Sequence, residues 1–151
     1  MQLSSSPRLA PPDNQSSIPR RLQVFVLFNG IDSAAVALRT AGAFVAGLGG
    51  EILIAATQIV PYPLPLNRPP VDRRKLLTQI AGSVSQSGIA LATPPKALIV
   101  YARDLADGWR FILPPHCLVV VGRPERPSWQ RFKVWLTARS LRKLGHEVLL
   151  A

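Results

Sequence analysis

The chain has 151 residues, enough for one domain, and 48% of them are hydrophobic, which suffices for a buried core. Its 18 lysines and arginines against 8 aspartates and glutamates give a net charge of +10, which favours anionic partners in general. One cysteine excludes an internal disulfide framework. Arg39, Glu51 and the prolines after Val60 interrupt the apolar runs, so we expect no membrane span, which needs roughly 18 to 20 apolar residues.

Residues 1–21 are rich in serine, proline, glutamine and asparagine and carry several arginines. Such a segment buries too little apolar surface to offset the entropy lost on ordering, so we predict a disordered basic arm. The same residues lack the apolar centre of a signal peptide. We therefore expect a cytoplasmic protein with one α/β domain over residues 22–151.

From residue 22 onward, short apolar runs alternate with segments of helical periodicity. Asp32 or Ser33 is placed to cap the first helix near Ala34. Strands alternating with helices, and apolar almost throughout, predict a parallel sheet with helices on both faces. The predicted fold is a Rossmann-like, doubly wound α/β sandwich with strand order 3-2-1-4-5. The strands are predicted at 22–28, 51–60, 97–101, 117–121 and 147–150, and the helices at 34–47, 71–87, 104–111 and 128–144.

This strand order brings the loops after the first and fourth strands together, where open α/β sheets bind ligands. The first loop can offer hydrogen bonds to a ligand, although an Asn-Gly turn and helix caps explain the same residues. The second loop can bind an anion through guanidinium groups, although solvated loop arginines are the plain alternative. The predicted ligand-binding residues are Asn29, Gly30, Asp32, Ser33, Gly122, Arg123 and Arg126.

The last helix carries large apolar side chains on two sides. Val134, Ala138 and Leu141 form its inward face, whereas the opposite side has apolar residues among cations. That opposite side predicts a protein-association surface, unless a broad helix face fills the core instead. The predicted interface residues are Trp129, Phe132 and Leu136 on the helix, and Val148 and Leu150 on the final strand.

No arrangement of residues indicates catalysis or metal binding. His116 and His146 have no ligand at metal-binding spacing, and Cys117 lies in an apolar run, where we expect an inert core thiol. There is no nucleophile elbow and no paired acid and base. We therefore predict no enzymatic activity and no metal site. Nucleic acid is a weaker possibility that rests on charge alone, since no RNA- or DNA-binding module is recognisable.

The first two strand ends carry a resemblance to a known family. Phe28, Asn29 and Gly30 lead into an alanine-rich helix, and the second strand runs into Val60 and Pro61. Over residues 22–151 the chain resembles the universal stress protein superfamily, in which the first strand ends in a Val-Asp-Gly-Ser-like turn. The resemblance implies the five-stranded fold, a role in stress response, and homodimers formed through the final strand, here Glu147 to Leu150.

The sequence departs from the ATP-binding members of that family. Those members have a glycine that ends the fourth strand, a second after two residues, and a third nine residues later, before Ser or Thr. Counting from Gly122, the corresponding positions hold Glu125, Trp135 and Leu136. A glutamate places negative charge beside phosphates and a tryptophan occupies their volume. Asn29 also replaces the family's aspartate.

These departures predict a member that does not bind ATP in the family's manner and has no cofactor. We expect a non-enzymatic binding or interaction module that forms a homodimer, with an unidentified protein partner. The alternative is a ligand-sensing domain that binds a nucleotide or other phosphate through Arg123 and Arg126.

Overall fold

The computed structural model describes residues 22–68, 72–91, 93–124 and 128–151. The predicted arm over residues 1–21 lies outside these ranges. The elements are β1 (Gln23–Leu27), α1 (Ile31–Leu48), β2 (Glu51–Ile59), α2 (Arg73–Ser87), β3 (Lys96–Ala102), α3 (Leu105–Ile112), β4 (Leu118–Val121), α4 (Ser128–Lys143) and β5 (Glu147–Leu150).

The five strands form one parallel sheet in the order β3-β2-β1-β4-β5. This confirms the predicted fold class and strand order. Val24 of the central strand β1 lies opposite Ile52 of β2 on one side and Leu118 of β4 on the other. Strands β3 and β5 are the edges of the sheet. The carboxyl ends of β1 and β4 therefore lie side by side.

The sheet separates two hydrophobic cores. Alternate residues of β1 point to opposite faces, so Val24 and Val26 belong to one core and Phe25 and Leu27 to the other. The first core contains apolar residues of α1 and α2, and the second contains those of α3 and α4. The helices thus form two layers, as predicted: α1 with α2 on one face of the sheet, and α3 with α4 on the other.

Helix α1 begins at Ile31, three residues before the predicted start at Ala34. Gly30 is its N-cap, with a φ of 133°, a backbone conformation that residues with a Cβ rarely adopt. No side chain forms a capping hydrogen bond to this helix. The prediction that Asp32 or Ser33 caps this helix is therefore wrong. Asp32 lies in the first turn instead, where its Oδ1 accepts a hydrogen bond of 2.8 Å from Gln86 Nε2.

The buried face of α1 is made of small residues. Ala35 and Gly42 are buried, whereas Leu48 is 73% exposed. A Cβ on Gly42 would lie 3.1 Å from Ile89 Cγ2, so the small residue allows the segment after α2 to approach closely. By length and composition alone α1 is apolar enough to cross a membrane, contrary to our estimate from uninterrupted runs, but here its alanine face packs within the fold.

Helix α2 begins after Asp72, whose side chain accepts a hydrogen bond from the backbone N–H of Arg74. It ends after Ser87, as predicted, and Gly88 caps it in the left-handed conformation. The last turn of α2 contains no basic residue. Arg39 of α1 supplies that charge, because its guanidinium donates to the backbone carbonyls of Gln86 at 3.2 Å and Ser87 at 3.3 Å.

Candidate ligand-binding cleft at the ends of β1 and β4

The end of β4 is in direct contact with the start of α1. A Cβ on Gly122 would overlap the backbone carbonyl of Ser33, so only glycine fits at the end of this strand. The predicted ligand residue Gly122 therefore has a packing role that does not depend on any ligand. This contact fixes the first turn of α1 beside the connection from β4 to α4.

A cleft of about 520 Å³ opens beside this contact, within the range of small-molecule sites. It is formed by the first turns of α1, by Gln86 near the end of α2, and by the beginning of the β4–α4 connection. Four predicted ligand residues lie here. The lining is Gly30, Ile31, Asp32, Ser33, Val36, Arg39, Gln86, Arg123, Pro124 and Gln130.

The charges around this cleft favour an anion. Arg39 and Arg123 are exposed and line it, and among the described lining residues Asp32 has the single carboxylate. The backbone N–H of Arg123 donates to the Ala151 carbonyl at 3.0 Å, which ties the position of Arg123 to the chain segment after β5. The first backbone N–H groups of α1 have no acceptor within the helix and carry its positive dipole end. A phosphate or carboxylate is the group that suits such a cleft.

A second cleft, of about 330 Å³, lies between the same loops and the α3–α4 layer. It shares Ser33, Pro124 and Gln130 with the first cleft, and Asn29 and Trp129 line it as well. The residues predicted for the first loop are therefore divided between two clefts that meet at Pro124. The first cleft has the two arginines, whereas the second has a mainly apolar lining that includes Leu105, Trp129 and Val134.

The connection between β4 and α4 contains only six residues, 122–127. Of these, Glu125 and the predicted ligand residue Arg126 lie outside the described residues. A glycine pattern spread over more than a dozen positions does not fit so short a connection, and its third position, Trp135, falls within α4. Trp135 is 45% exposed and lines a further cleft with Arg123, Arg131 and Leu150, so it lies near an arginine of the first cleft.

The residues predicted as an interface on α4 are exposed. Trp129, Phe132 and Leu136 are 56%, 58% and 41% exposed, and the Phe132 ring stacks on Trp135 with their centroids 5.9 Å apart. Val148 and Leu150 are half-buried on the edge strand β5. The inward face of α4 is as predicted, since Val134, Ala138 and Leu141 are buried.

A buried pair that the sequence analysis missed lies at the opposite end of the sheet. Cys117 Sγ is 3.3 Å from His146 Nδ1, and the backbone N–H of Cys117 donates to the same nitrogen at 3.4 Å. Each residue directly precedes one of two paired strands, because Leu118 lies opposite Glu147. Their positions one residue before neighbouring strands were the signal available in the sequence.

Burial sets the protonation of this pair. It raises the pKa of the Cys117 thiol to about 11, and it lowers the pKa of His146 below 6.5, helped by repulsion from His116. A protonated thiol beside a neutral imidazole is a poor nucleophile. Within the described ranges no three His, Cys, Asp or Glu side chains are grouped to hold a metal ion.

No model of a known protein family matches the sequence, and no curated protein matches it either. Solved structures do match the fold. A universal stress protein in complex with cAMP is 20% identical with a TM-score of 0.57, covering 88% of this chain and 98% of its own. One from Archaeoglobus fulgidus in complex with dAMP is 14% identical with a TM-score of 0.53, covering 85% and 96%.

A third structure, from the universal stress protein family of Burkholderia pseudomallei, is 20% identical with a TM-score of 0.51. It covers 85% of this chain and 94% of its own. At these identities the matches describe the fold. The chain has the universal stress protein fold, as the resemblance in its sequence implied.

Proposed function

We propose that this domain of universal stress protein fold is a non-enzymatic binding module for a small phosphate-bearing ligand the size of a nucleoside monophosphate. The observation that supports the proposal is the cleft of about 520 Å³ at the ends of β1 and β4, where Arg123 faces the first turn of α1. Two proteins of the same fold were solved with cAMP and dAMP, which makes an adenine nucleotide the first ligand to test.

The β4–α4 connection favours a monophosphate over ATP. The family's glycine pattern lets several backbone amides surround a phosphate chain, whereas here six residues join β4 to α4. A guanidinium can replace those amides for one phosphate group, because its planar fork makes two parallel hydrogen bonds to it. We therefore infer that Arg123, assisted by Arg39, takes one phosphate and that ATP does not bind in the family's manner.

Isothermal titration of the full chain with cAMP, dAMP and ATP tests this proposal. We expect the monophosphates to bind more tightly than ATP, and Arg123→Ala to weaken their binding by roughly tenfold to a hundredfold, the usual effect of losing a charged hydrogen bond. Arg110→Ala is the matched control, since Arg110 is an exposed arginine of α3 that does not line the cleft. Unchanged affinity in Arg123→Ala, or tighter binding of ATP, would contradict the proposal.

We also propose that the module forms a homodimer through the edge strand β5. The backbone N–H groups of Glu147 and Ala151 bond to β4, so by strand alternation the N–H of Val148 points away from the sheet. The Val148 carbonyl accepts a hydrogen bond from Arg142 Nη2 at 3.3 Å, which a second strand would displace. A partner strand would then extend the sheet across two copies.

Light scattering after size-exclusion chromatography tests this assembly. Val148→Pro removes the outward N–H and keeps the N–H groups that bond to β4, so we expect a monomer; circular dichroism checks that the variant folds, because the Val148 side chain also packs against the second core. Ala97→Pro on the other edge strand, β3, is the matched control. The Ala102 carbonyl accepts a hydrogen bond from Val60, so by strand alternation the N–H of the exposed Ala97 also points away from the sheet, and we expect this variant to remain dimeric. A wild-type chain that is monomeric at every concentration, or a Val148→Pro variant that remains dimeric, would contradict the assembly.

A further inference from the structure

The outward side of α4 combines exposed aromatic side chains with cations. Trp129, Phe132, Trp135 and Leu136 are all at least 41% exposed. Lys133 Nζ lies 4.8 Å from the centre of the Trp129 ring, and the Arg139 guanidinium lies 5.4 Å from that of Trp135. We call this surface, made of Trp129, Phe132, Lys133, Trp135, Leu136 and Arg139, the aromatic–cationic face.

The other helix of the same layer, α3, also exposes apolar side chains. On α3, Phe111 is 80% exposed and Leu105 is also exposed. Of the large hydrophobic side chains exposed in the described part of the chain, six therefore lie on α3 and α4. Large apolar side chains concentrated in one layer indicate a docking surface rather than scattered exposure.

The charge of α4 restricts what can dock there. The helix carries five cations, Arg131, Lys133, Arg139, Arg142 and Lys143, and no aspartate or glutamate. Among the described residues of the adjoining elements, the acidic ones are Asp104 and Asp107 at the start of α3, the latter paired with Arg110, and the exposed Glu147 of β5. A partner that covers the outward side of α4 must therefore be anionic.

A second copy of the chain does not suit this face. A two-fold interface would place the same patch of both copies in contact, and Lys133 and Arg139 of one copy would then lie close to the same cations of the other. Such like-charge contact opposes association. The dimer proposed through β5 involves the edge of the sheet, so the outward side of α4 stays free in it.

Single-stranded nucleic acid also suits this face poorly. Proteins bind it by stacking bases on the free faces of aromatic rings along a groove. Here Lys133 covers a face of Trp129, Arg139 covers a face of Trp135, and Phe132 stacks on Trp135 at 20° between the ring planes. Leu136 adds apolar surface that does not take part in base stacking.

We propose that the aromatic–cationic face docks on the surface of an anionic lipid bilayer. Tryptophan, phenylalanine and leucine partition into the headgroup and acyl boundary, while lysine and arginine bind lipid phosphates. Trp129, Phe132 and Leu136 enter the interface, and Lys133 and Arg139 contact the headgroups around them. The binding is peripheral and reversible, and α4 keeps its inward residues in the core.

Co-sedimentation of the full chain with vesicles tests this docking. We expect binding to phosphatidylcholine vesicles that contain phosphatidylglycerol, and much weaker binding to phosphatidylcholine alone. The double substitution Phe132→Ser with Leu136→Ser should reduce the partition coefficient roughly tenfold, because both side chains lose their burial in the interface. Leu48→Ser is the matched control, since it removes an exposed leucine from α1 on the opposite layer.

Quenching of tryptophan fluorescence by brominated lipid distinguishes docking through the aromatic–cationic face from electrostatic attraction of a chain with net charge +10 to the anionic vesicle surface. Docked Trp129 and Trp135 should be quenched, whereas Trp109 is buried in the core. Circular dichroism checks the double variant, and Trp129→Ser replaces it if it does not fold. Unquenched fluorescence, unchanged binding of the variants, or binding to single-stranded oligonucleotides but not to vesicles would overturn the proposal.

Discussion

Gly122 packs so closely against Ser33 that a side chain at position 122 would overlap the Ser33 backbone carbonyl. Backbone atoms cannot move aside as a flexible side chain can, so Gly122→Ala must displace the end of β4 or the first turn of α1. We expect a loss of about 1–3 kcal/mol in the free energy of unfolding, the usual cost of overpacking. Urea denaturation followed by circular dichroism measures this loss.

Gly82→Ala is the matched control for that substitution. Gly82 lies within α2, and a Cβ there would meet no heavy atom within 4 Å. Alanine is the better helix former, so we expect this variant to be about 0.5–1 kcal/mol more stable than the wild type. Equal stability of Gly122→Ala and the wild type would show that the contact with Ser33 is looser than described.

Arg39 joins α1 to the end of α2 through the carbonyls of Gln86 and Ser87. Arg39→Ala leaves those carbonyls without the charge that balances the helix dipole, so we expect about 1 kcal/mol of destabilisation. Arg74→Ala should change stability by less than about 0.5 kcal/mol, because Arg74 is exposed in the first turn of α2, where a cation opposes the dipole. Thermal unfolding of both variants provides the comparison, and an equal effect of the two would exclude the capping role.

Cys117 should be unreactive in the folded protein. Burial raises the pKa of its thiol to about 11, so roughly one molecule in ten thousand carries the thiolate at pH 7. We expect an aromatic disulfide reagent to modify Cys117 slowly in buffer and rapidly in urea. A Cys117→Ser variant that carries Ser140→Cys, an exposed position on α4, gives the reference rate. Similar rates for the two thiols would contradict the burial of Cys117.

His146 should make the fold sensitive to mild acid. Burial, and secondarily the repulsion from His116, lower its pKa in the folded state below the ordinary value of 6.5. The neutral imidazole is therefore favoured in the fold, and this contribution to stability is fully present above pH 6.5. It is lost as the pH falls below 6.5 towards the pKa of the folded state. Protonation also puts a hydrogen on Nδ1 of His146, so this nitrogen can no longer accept the hydrogen bond from the backbone N–H of Cys117.

The measurement is the free energy of unfolding across this pH range. The wild type should lose stability on acidification, and His146→Gln should lose less, since glutamine keeps a hydrogen-bonding side chain without a charge. A steeper pH dependence in His146→Gln would show that another group controls acid stability.

Much of the fold was predictable because local and tertiary preferences agree. The five apolar runs became strands with nearly the predicted bounds, and Gly88 ends α2 as its sequence position indicates. The start of α1 was not predictable in the same way. Gly30 begins the helix through its backbone conformation, without a side-chain cap. Asp32 instead accepts a hydrogen bond from Gln86, 54 residues further along the chain, and the sequence pattern does not predict this contact.

The candidate cleft was predictable in place but not in composition. The strand order sets the loops after β1 and β4 side by side, so Ser33 and Arg123 were expected together. Arg39 and Gln86 come from helix positions that depend on how α1 and α2 pack. The family pattern was counted without gaps, and its third position, Trp135, lies within α4 rather than in the six-residue connection that precedes the helix.

The division of the apolar residues by the sheet has a consequence for how the protein tolerates change. Leu38 of α1 and Leu141 of α4 are fully buried in different cores. Substitutions without shared neighbours have additive energetic effects. The layer that holds α3 and α4 can therefore diverge in sequence, and acquire a new binding preference, without changing how costly a substitution is in the other layer.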